Sequence, residues 1–399
     1  MDTQTIMDLE QQYIVQTYRR SPFVLERGEG VYLYDTEGRL YLDFVAGIAV
    51  NALGYGDPEM LAAIQDQASK LIHISNLYHM IPHVRLAQRL VEHSFADRVF
   101  FCNSGTEANE AAIKFARKWA RANFGEGKTK IVAFSSGFHG RTMGSLALTP
   151  RDKYQKPFAP LMPDVAIAKF NDLESAEEAV DDATCAVFVE PLQGEGGVNP
   201  ASHDFLRGLR RLCDAHNALL IFDEIQCGLG RTGTLWGHEL SGVTPDIMCL
   251  AKPLGGGLPM GATLVTEEVG QVLGPGDHGS TFAANCVIAA VACVVFDRIS
   301  DEEFLAGVRA KGEYLRERLV ALQGEVPITE VRGRGLMWGL ETPLASSDIV
   351  SAGYKEGIIV ASAGDHVVRL VPPLIIERAH IDELIPALRR AFQRAQEGI

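Results

Sequence analysis

Two short apolar runs, Leu219–Phe222 and Ile247–Ala251, have strand length, and each gives way at once to a charged residue: Asp223 after the first, Lys252 after the second. Taken singly, an Asp after a strand is usually a turn or helix cap, and a Lys before Pro253 is usually solvated. Together they mean more. In a parallel α/β sheet, ligands bind beyond the carboxyl ends of the strands, so an acid and an amine at two such ends can face one small molecule. The pair suits pyridoxal phosphate chemistry, with a lysine for the Schiff base and a carboxylate for the pyridinium nitrogen. Gly255, Gly256, Gly257, Pro259 and Gly261 leave little side chain beside Lys252, as a backbone packed against a ligand requires.

Other strand-end loops point the same way. Asn103-Ser104-Gly105-Thr106-Glu107-Ala108-Asn109 joins a strand to a helix running through Ala112, Phe115 and Trp119. Free helix-start amides, a glycine and the hydroxyls of Ser104 and Thr106 make an anion seat, and a plain capping box of Thr106 with Asn109 is the local alternative. Gly137-Phe138-His139-Gly140-Arg141-Thr142 offers an aromatic that can lie on a planar ring and a guanidinium for a carboxylate. Glu190-Pro191-Leu192-Gln193-Gly194-Glu195-Gly196-Gly197 brings two acids near the site, and Gln226 follows Asp223 with an amide. Gly228-Leu229-Gly230-Arg231-Thr232-Gly233 spells a dinucleotide fingerprint, but it lies past the strand, and Trp236, Gly237, Gly242 and Pro245 leave no long helix behind it. That match is rejected.

These loops need a sheet to position them. Apolar runs at Val99–Cys102, Ile131–Ser135, Val165–Ala168, Ala186–Val189, Leu219–Phe222, Ile247–Ala251 and Ala262–Val265 alternate with helices such as Asp204–His216. They predict a mostly parallel seven-stranded sheet covered on both faces, in an α/β large domain over residues 61–299. A smaller α+β domain is expected from both termini, residues 1–60 and 300–399. It would hold short antiparallel strands at Val31–Tyr34 and Leu40–Phe44, further strands at Ile328–Val331, Leu336–Leu340, Ile358–Ala361 and Val367–Val371, and helices Leu305–Leu322, Asp348–Glu356 and His380–Arg394. Asp57-Pro58 predicts a helix start with Leu61, Ile64, Ala68 and Leu71 as its buried stripe. Helices are also expected at His83–His93 and Asn285–Ile299.

A chain of 399 residues, 47% hydrophobic, can bury a large core, and its net charge of −14 disfavours nucleic acid and anionic membranes as partners. No apolar run reaches membrane-spanning length and the start Met1–Gln12 is polar, so a soluble, cytoplasmic protein is expected. Cys102, Cys185, Cys213, Cys227, Cys249, Cys286 and Cys293 form no Cys-x-x-Cys pair and read as reduced core residues. His79 and His83 have helical spacing, but Pro82 between them is expected to break that helix, so no metal site is predicted.

With these loops in order, the chain resembles the class III, ornithine-type, pyridoxal-phosphate aminotransferases of fold type I, and within them the branch acting on acetylornithine. The likeness runs from Tyr41-Leu42-Asp43-Phe44 and Gly47-Ile48-Ala49-Val50-Asn51 to Arg369-Leu370-Val371-Pro372-Pro373. It implies that Lys252 carries the cofactor and moves the proton, Asp223 keeps the pyridine nitrogen protonated, Gln226 meets the 3′-oxygen, Phe138 stacks on the ring and Glu190 packs near it. It also implies that Ser104, Gly105 and Thr106 hold the phosphate, joined by Thr281 of a second subunit in a homodimer with shared active sites. Arg141 and Arg369 would take substrate carboxylates, Glu195 covering Arg369 while the ω-amino substrate is bound. A movable ion pair of this kind keeps a buried guanidinium compensated in both half-reactions. The implied reaction moves the ω-amino group of N-acetylornithine, or a similar acylated diamino acid, to 2-oxoglutarate. Relatives acting on ornithine have a tyrosine where Ile48 stands, and the apolar residue favours an acylated donor. Ala283-Ala284 and Tyr55-Gly56-Asp57 depart from the common pattern near the expected subunit interface. The rival readings are another class III reaction, including an aminomutase or decarboxylase, and a non-catalytic cofactor-binding regulator.

Overall fold

Seven strands between Arg98 and Val265 form the central sheet: β1 Arg98–Cys102, β2 Lys130–Phe134, β3 Val165–Ala168, β4 Thr184–Val189, β5 Leu219–Asp223, β6 Ile247–Leu250 and β7 Gly261–Val265. The structure, a computed structural model, describes residues 1–398. The spatial order is β1-β7-β6-β5-β4-β2-β3. Strand β7 runs antiparallel to both neighbours, and the other pairs are parallel. Strands β4, β5 and β6 are buried along their whole length, which is why they are apolar without alternation. Successive side chains serve opposite faces: Leu219 and Ile221 pack with the helix Gly105–Phe124, while Leu220 and Phe222 pack with the helix His203–Ala215.

Two four-stranded sheets flank this core. One joins Leu25–Glu29, Tyr32–Asp35 and Leu40–Asp43 to Ile358–Ile359, with Leu42 opposite Ile358, so both ends of the chain share it. The other contains Glu330–Arg334, Met337–Glu341, Val367–Leu370 and Ala361–Ser362. Helices Glu302–Gln323, Ser346–Lys355 and Arg378–Glu397 accompany them. Among the described residues no helix is long and apolar enough to cross a membrane.

Local expectations for three elements differ from the structure. Asp57 does cap the helix Pro58–Lys70, accepting from the Glu59 and Met60 amides, but Leu61 and Leu71 are 55% and 38% exposed. Ile64 does meet the core, as expected, joined by Met60 and Ala63. Pro82 sits in the first turn of the helix Ile81–Glu92, where its missing N–H costs nothing, so His79 lies outside the helix that holds His83, as expected. Neither the helix Thr3–Tyr13, despite Ile6, Leu9 and Tyr13 at helical spacing, nor the strand Leu25–Glu29, which lacks an apolar alternation, was expected.

Candidate active site

Asp223 and Lys252 line one cavity of about 430 Å³, within the range of small-molecule sites. Their strands are adjacent and parallel, with Asp223 opposite Cys249, so both residues emerge from the same edge of the sheet. Asp223 is 3% exposed. Its Oδ2 accepts from Asn109 Nδ2 and from the His139 ring nitrogen Nδ1, each at 2.8 Å, while Oδ1 accepts from the Ile225 amide at 3.1 Å. Burial opposes a charged imidazole at His139, yet the hydrogen bond and charge of Asp223, with Glu190 beyond, carry its pKa above the ordinary value. Asn109 and His139 were not singled out from the sequence as supports of Asp223. Only the two strand-end loops in which they stand gave any signal.

Lys252 opens a short 3₁₀ turn, Lys252–Gly255, with φ of +40°, in the left-handed region that a side chain rarely adopts. Burial holds its amine below the usual lysine pKa. Glu195, Asp223 and Glu190 offset part of that effect, and Arg369 adds to it. Such an amine is readily deprotonated, as a nucleophile and proton carrier must be. Glu190 is buried and accepts from the Phe138 and Gly194 amides at 3.0 Å each. Burial lifts its pKa to about 7, Asp223 adding and His139 opposing.

The anion seat is also present. Ser104 caps the 20-residue helix Gly105–Phe124, accepting from the Glu107 amide at 3.3 Å, and the Gly105 and Thr106 amides open the helix without intrahelical acceptors. The cap is therefore Ser104, not Thr106 with Asn109. Thr106 Oγ1 lies 2.9 Å from Thr142 Oγ1, and Gly140, at φ +134°, has no room for a Cβ because Thr106 Oγ1 would stand 2.1 Å from it. Ser104, Gly105, Thr106 and Phe138 all line the cavity. Thr281 does not; it is exposed, and its neighbour Ser280 accepts from Asn103 Nδ2 at 2.8 Å.

At the other end, Arg369 is 2% exposed and donates through Nη1 to Glu195 Oε1 at 2.6 Å and to Gln226 Oε1 at 2.9 Å. Its Nε has no partner among the described residues. Burial of Glu195 favours the neutral acid, but Arg369 and then Lys252 outweigh it and lower the pKa. Gln226 and Glu195 line the cavity, as does Arg141, whose guanidinium lies over the Tyr154 ring. Val50, another lining residue, follows a left-handed turn in which Ala46, Gly47, Ile48 and Ala49 have φ of 52°, 63°, 66° and 61°. Asp43 anchors that turn, accepting from the Val45 and Ala46 amides and from the Tyr55 hydroxyl at 2.6 Å. Tyr55, one of the departures noted in the sequence, thus supports the cavity from behind.

The donor set fits pyridoxal phosphate: amides and hydroxyls at a helix start for a phosphate, a supported carboxylate for a protonated ring nitrogen, and an amine of lowered basicity. The comparisons with known proteins agree. The model of the class-III aminotransferases matches residues 13–392. The chain is 51% identical to the mitochondrial acetylornithine aminotransferase of Alnus glutinosa, over 96% of this chain and 88% of that one. It is 46% identical to the acetylornithine aminotransferase of Methanocaldococcus jannaschii, over 98% and 99%. Among solved structures, N-acetylornithine aminotransferase from Stenotrophomonas maltophilia superposes with a TM-score of 0.85 at 38% identity, covering 98% of this chain and all of that one.

Proposed function

The chain belongs to the class-III aminotransferases, a pyridoxal-phosphate-dependent family of fold type I, and on that footing we propose that it moves the ω-amino group of N-acetylornithine to 2-oxoglutarate. The products are N-acetylglutamate semialdehyde and glutamate. The observation that carries the reading is the convergence of Asp223 and Lys252 on one cavity that also reaches Arg141 and Glu195. When bound, the cofactor supplies an electron sink for the pair left behind as the proton beside the substrate nitrogen is removed.

The chain's own residues do the rest. Asp223 keeps a proton on the ring nitrogen, and Asn109 and His139 hold Asp223 in place and share its charge. Lys252 Nζ would take the proton from the donor's amine-bearing carbon in the first half-reaction and deliver one to the former keto carbon of 2-oxoglutarate in the second; its lowered pKa puts the free amine within reach. Ser104, Gly105 and Thr106 would hold the phosphate, Phe138 and Glu190 would lie beside the ring, and Gln226, whose carbonyl accepts from Arg369, would offer its amide to the ring oxygen. Arg141 takes the donor's carboxylate. Arg369 is covered by Glu195 in this state, and the 2-oxoglutarate carboxylate beside the keto group would replace Glu195 when the second substrate enters.

A homodimer with shared sites is part of the same proposal. Ile72, Leu77, Tyr78, Ile81 and Phe282 are 60–82% exposed, apolar side chains that a second copy would cover, and Thr281 adjoins Phe282. The deciding experiment is kcat/KM with 2-oxoglutarate across N-acetylornithine, N-succinyl-diaminopimelate, ornithine and 4-aminobutyrate. N-acetylornithine is expected to lead, and a preference for unacylated ornithine would overturn the substrate assignment.

A further inference from the structure

The guanidinium of Arg141 has a specific bed. Its Cζ lies 3.5 Å from the centre of the Tyr154 ring and 5.7 Å from that of Phe138. A guanidinium laid against an aromatic face is fixed in orientation while its in-plane N–H donors stay free, which is what bidentate capture of a carboxylate needs. Tyr154 is not itself part of the cavity wall. It stands in the short helix Asp152–Gln155, which is tied down at both ends. The Tyr154 amide donates to the Arg151 carbonyl at 2.8 Å, and Gln155 Nε2 donates to the Leu146 carbonyl at 2.9 Å. Arg151 Nη2 donates to the carbonyl of Glu195, so the same turn also touches the loop that covers Arg369.

We propose that Tyr154 is a specificity-determining support: by holding the Arg141 guanidinium in plane, it makes the chain prefer ω-amines that carry a carboxylate at their far end over plain alkyl amines. The proposal rests on the reading of Arg141 as the donor carboxylate site. Tyr154 acts through Arg141 and is a positioning residue. The ring face is what matters, so phenylalanine should serve and leucine should not.

The test measures the second-order rate constant of the amino-donor half-reaction in the holoenzyme, with N-acetylornithine and with n-pentylamine, for the wild type, Tyr154→Leu, Tyr154→Phe and Arg141→Met. Tyr154→Leu is expected to lower the N-acetylornithine constant about tenfold and leave the n-pentylamine constant unchanged, with Tyr154→Phe close to wild type. The n-pentylamine arm reports whether the leucine variant is folded. An equal fall for both amines makes Tyr154 a fold element only and overturns the proposal, as does an unchanged N-acetylornithine constant. If Arg141→Met lowers the N-acetylornithine constant and Tyr154→Leu does not, the carboxylate site stands and the support falls. If Arg141→Met has no effect, the carboxylate reading itself fails.

Discussion

At the scale of single residues, the site is a set of opposed pKa shifts around two strand ends. Asp223 is useful only as an anion, and the structure surrounds it with two side-chain donors, Asn109 and His139, both buried. Asp223→Asn removes the charge that keeps a ring proton in place, and the single-turnover rate should fall by about 10²- to 10³-fold or more. A rate within a few-fold of wild type would remove Asp223 from the mechanism. Glu190 is shifted upward by burial. Its folded pKa, about 7, exceeds the ordinary 4.5, so the folded chain binds this proton more tightly than the unfolded chain. The resulting stability is complete below the ordinary value and is lost as pH rises through about 7. In Glu190→Gln the fall in the apoprotein's thermal midpoint between pH 5 and pH 8 should therefore be shallower. An identical slope would mean that Glu190 does not titrate there.

At the scale of elements, the most unusual piece is the left-handed turn Ala46–Ala49, closed by the Ala49 and Val50 amides donating to the Val45 and Ala46 carbonyls at 2.8 Å. A non-glycine residue in this region costs about 1–2 kcal/mol, and β-branched Ile48 is among the least suited. Ile48 is 45% exposed, so little packing is lost in Ile48→Gly. That variant should unfold at a higher temperature, by roughly 0.5–1 kcal/mol after the entropy of a glycine is counted, while kcat/KM for the acylated donor falls. A lower midpoint would show that the turn is not strained. Nothing in Ala-Gly-Ile-Ala announces such a turn, because the Asp43 carboxylate and the Tyr55 hydroxyl that anchor it act through the fold. The central strands were legible for the opposite reason. Strands buried on both faces must be apolar throughout, and a charged residue at the end of such a run is conspicuous. Asp223 and Lys252 were therefore readable as a pair, while Asn109, in the first turns of the helix Gly105–Phe124, and His139, on a separate loop, gave no sign that they would meet at one carboxylate. Leu61 and Leu71 misled because an apolar residue on a helix reads as core, whatever it is going to face.

At the scale of the whole molecule, the two termini close one sheet, and Arg231 ties the loop after β5 to the C-terminal sheet through the Leu336 and Pro372 carbonyls. Arg369, which does not itself line the cavity, thus reaches Glu195 and Gln226 in its wall from the far end of the chain, carried by the strand Val367–Leu370. The apolar surface around Leu77 and Tyr78, 82% and 65% exposed, should be covered by a second copy. Leu77→Asp combined with Tyr78→Asp should shift sedimentation velocity from dimer towards monomer and weaken cofactor retention. A wild-type chain that sediments as a monomer would remove the shared-site proposal. The claim on which all of this depends is that one amine, at the end of β6, anchors the cofactor opposite Asp223. Borohydride reduction of the protein reconstituted with pyridoxal phosphate, followed by digestion and mass spectrometry, tests it most directly. A single phosphopyridoxyl adduct on Lys252, absent in Lys252→Ala, is the expected result. An adduct on another lysine, with Lys252 unmodified, would contradict it.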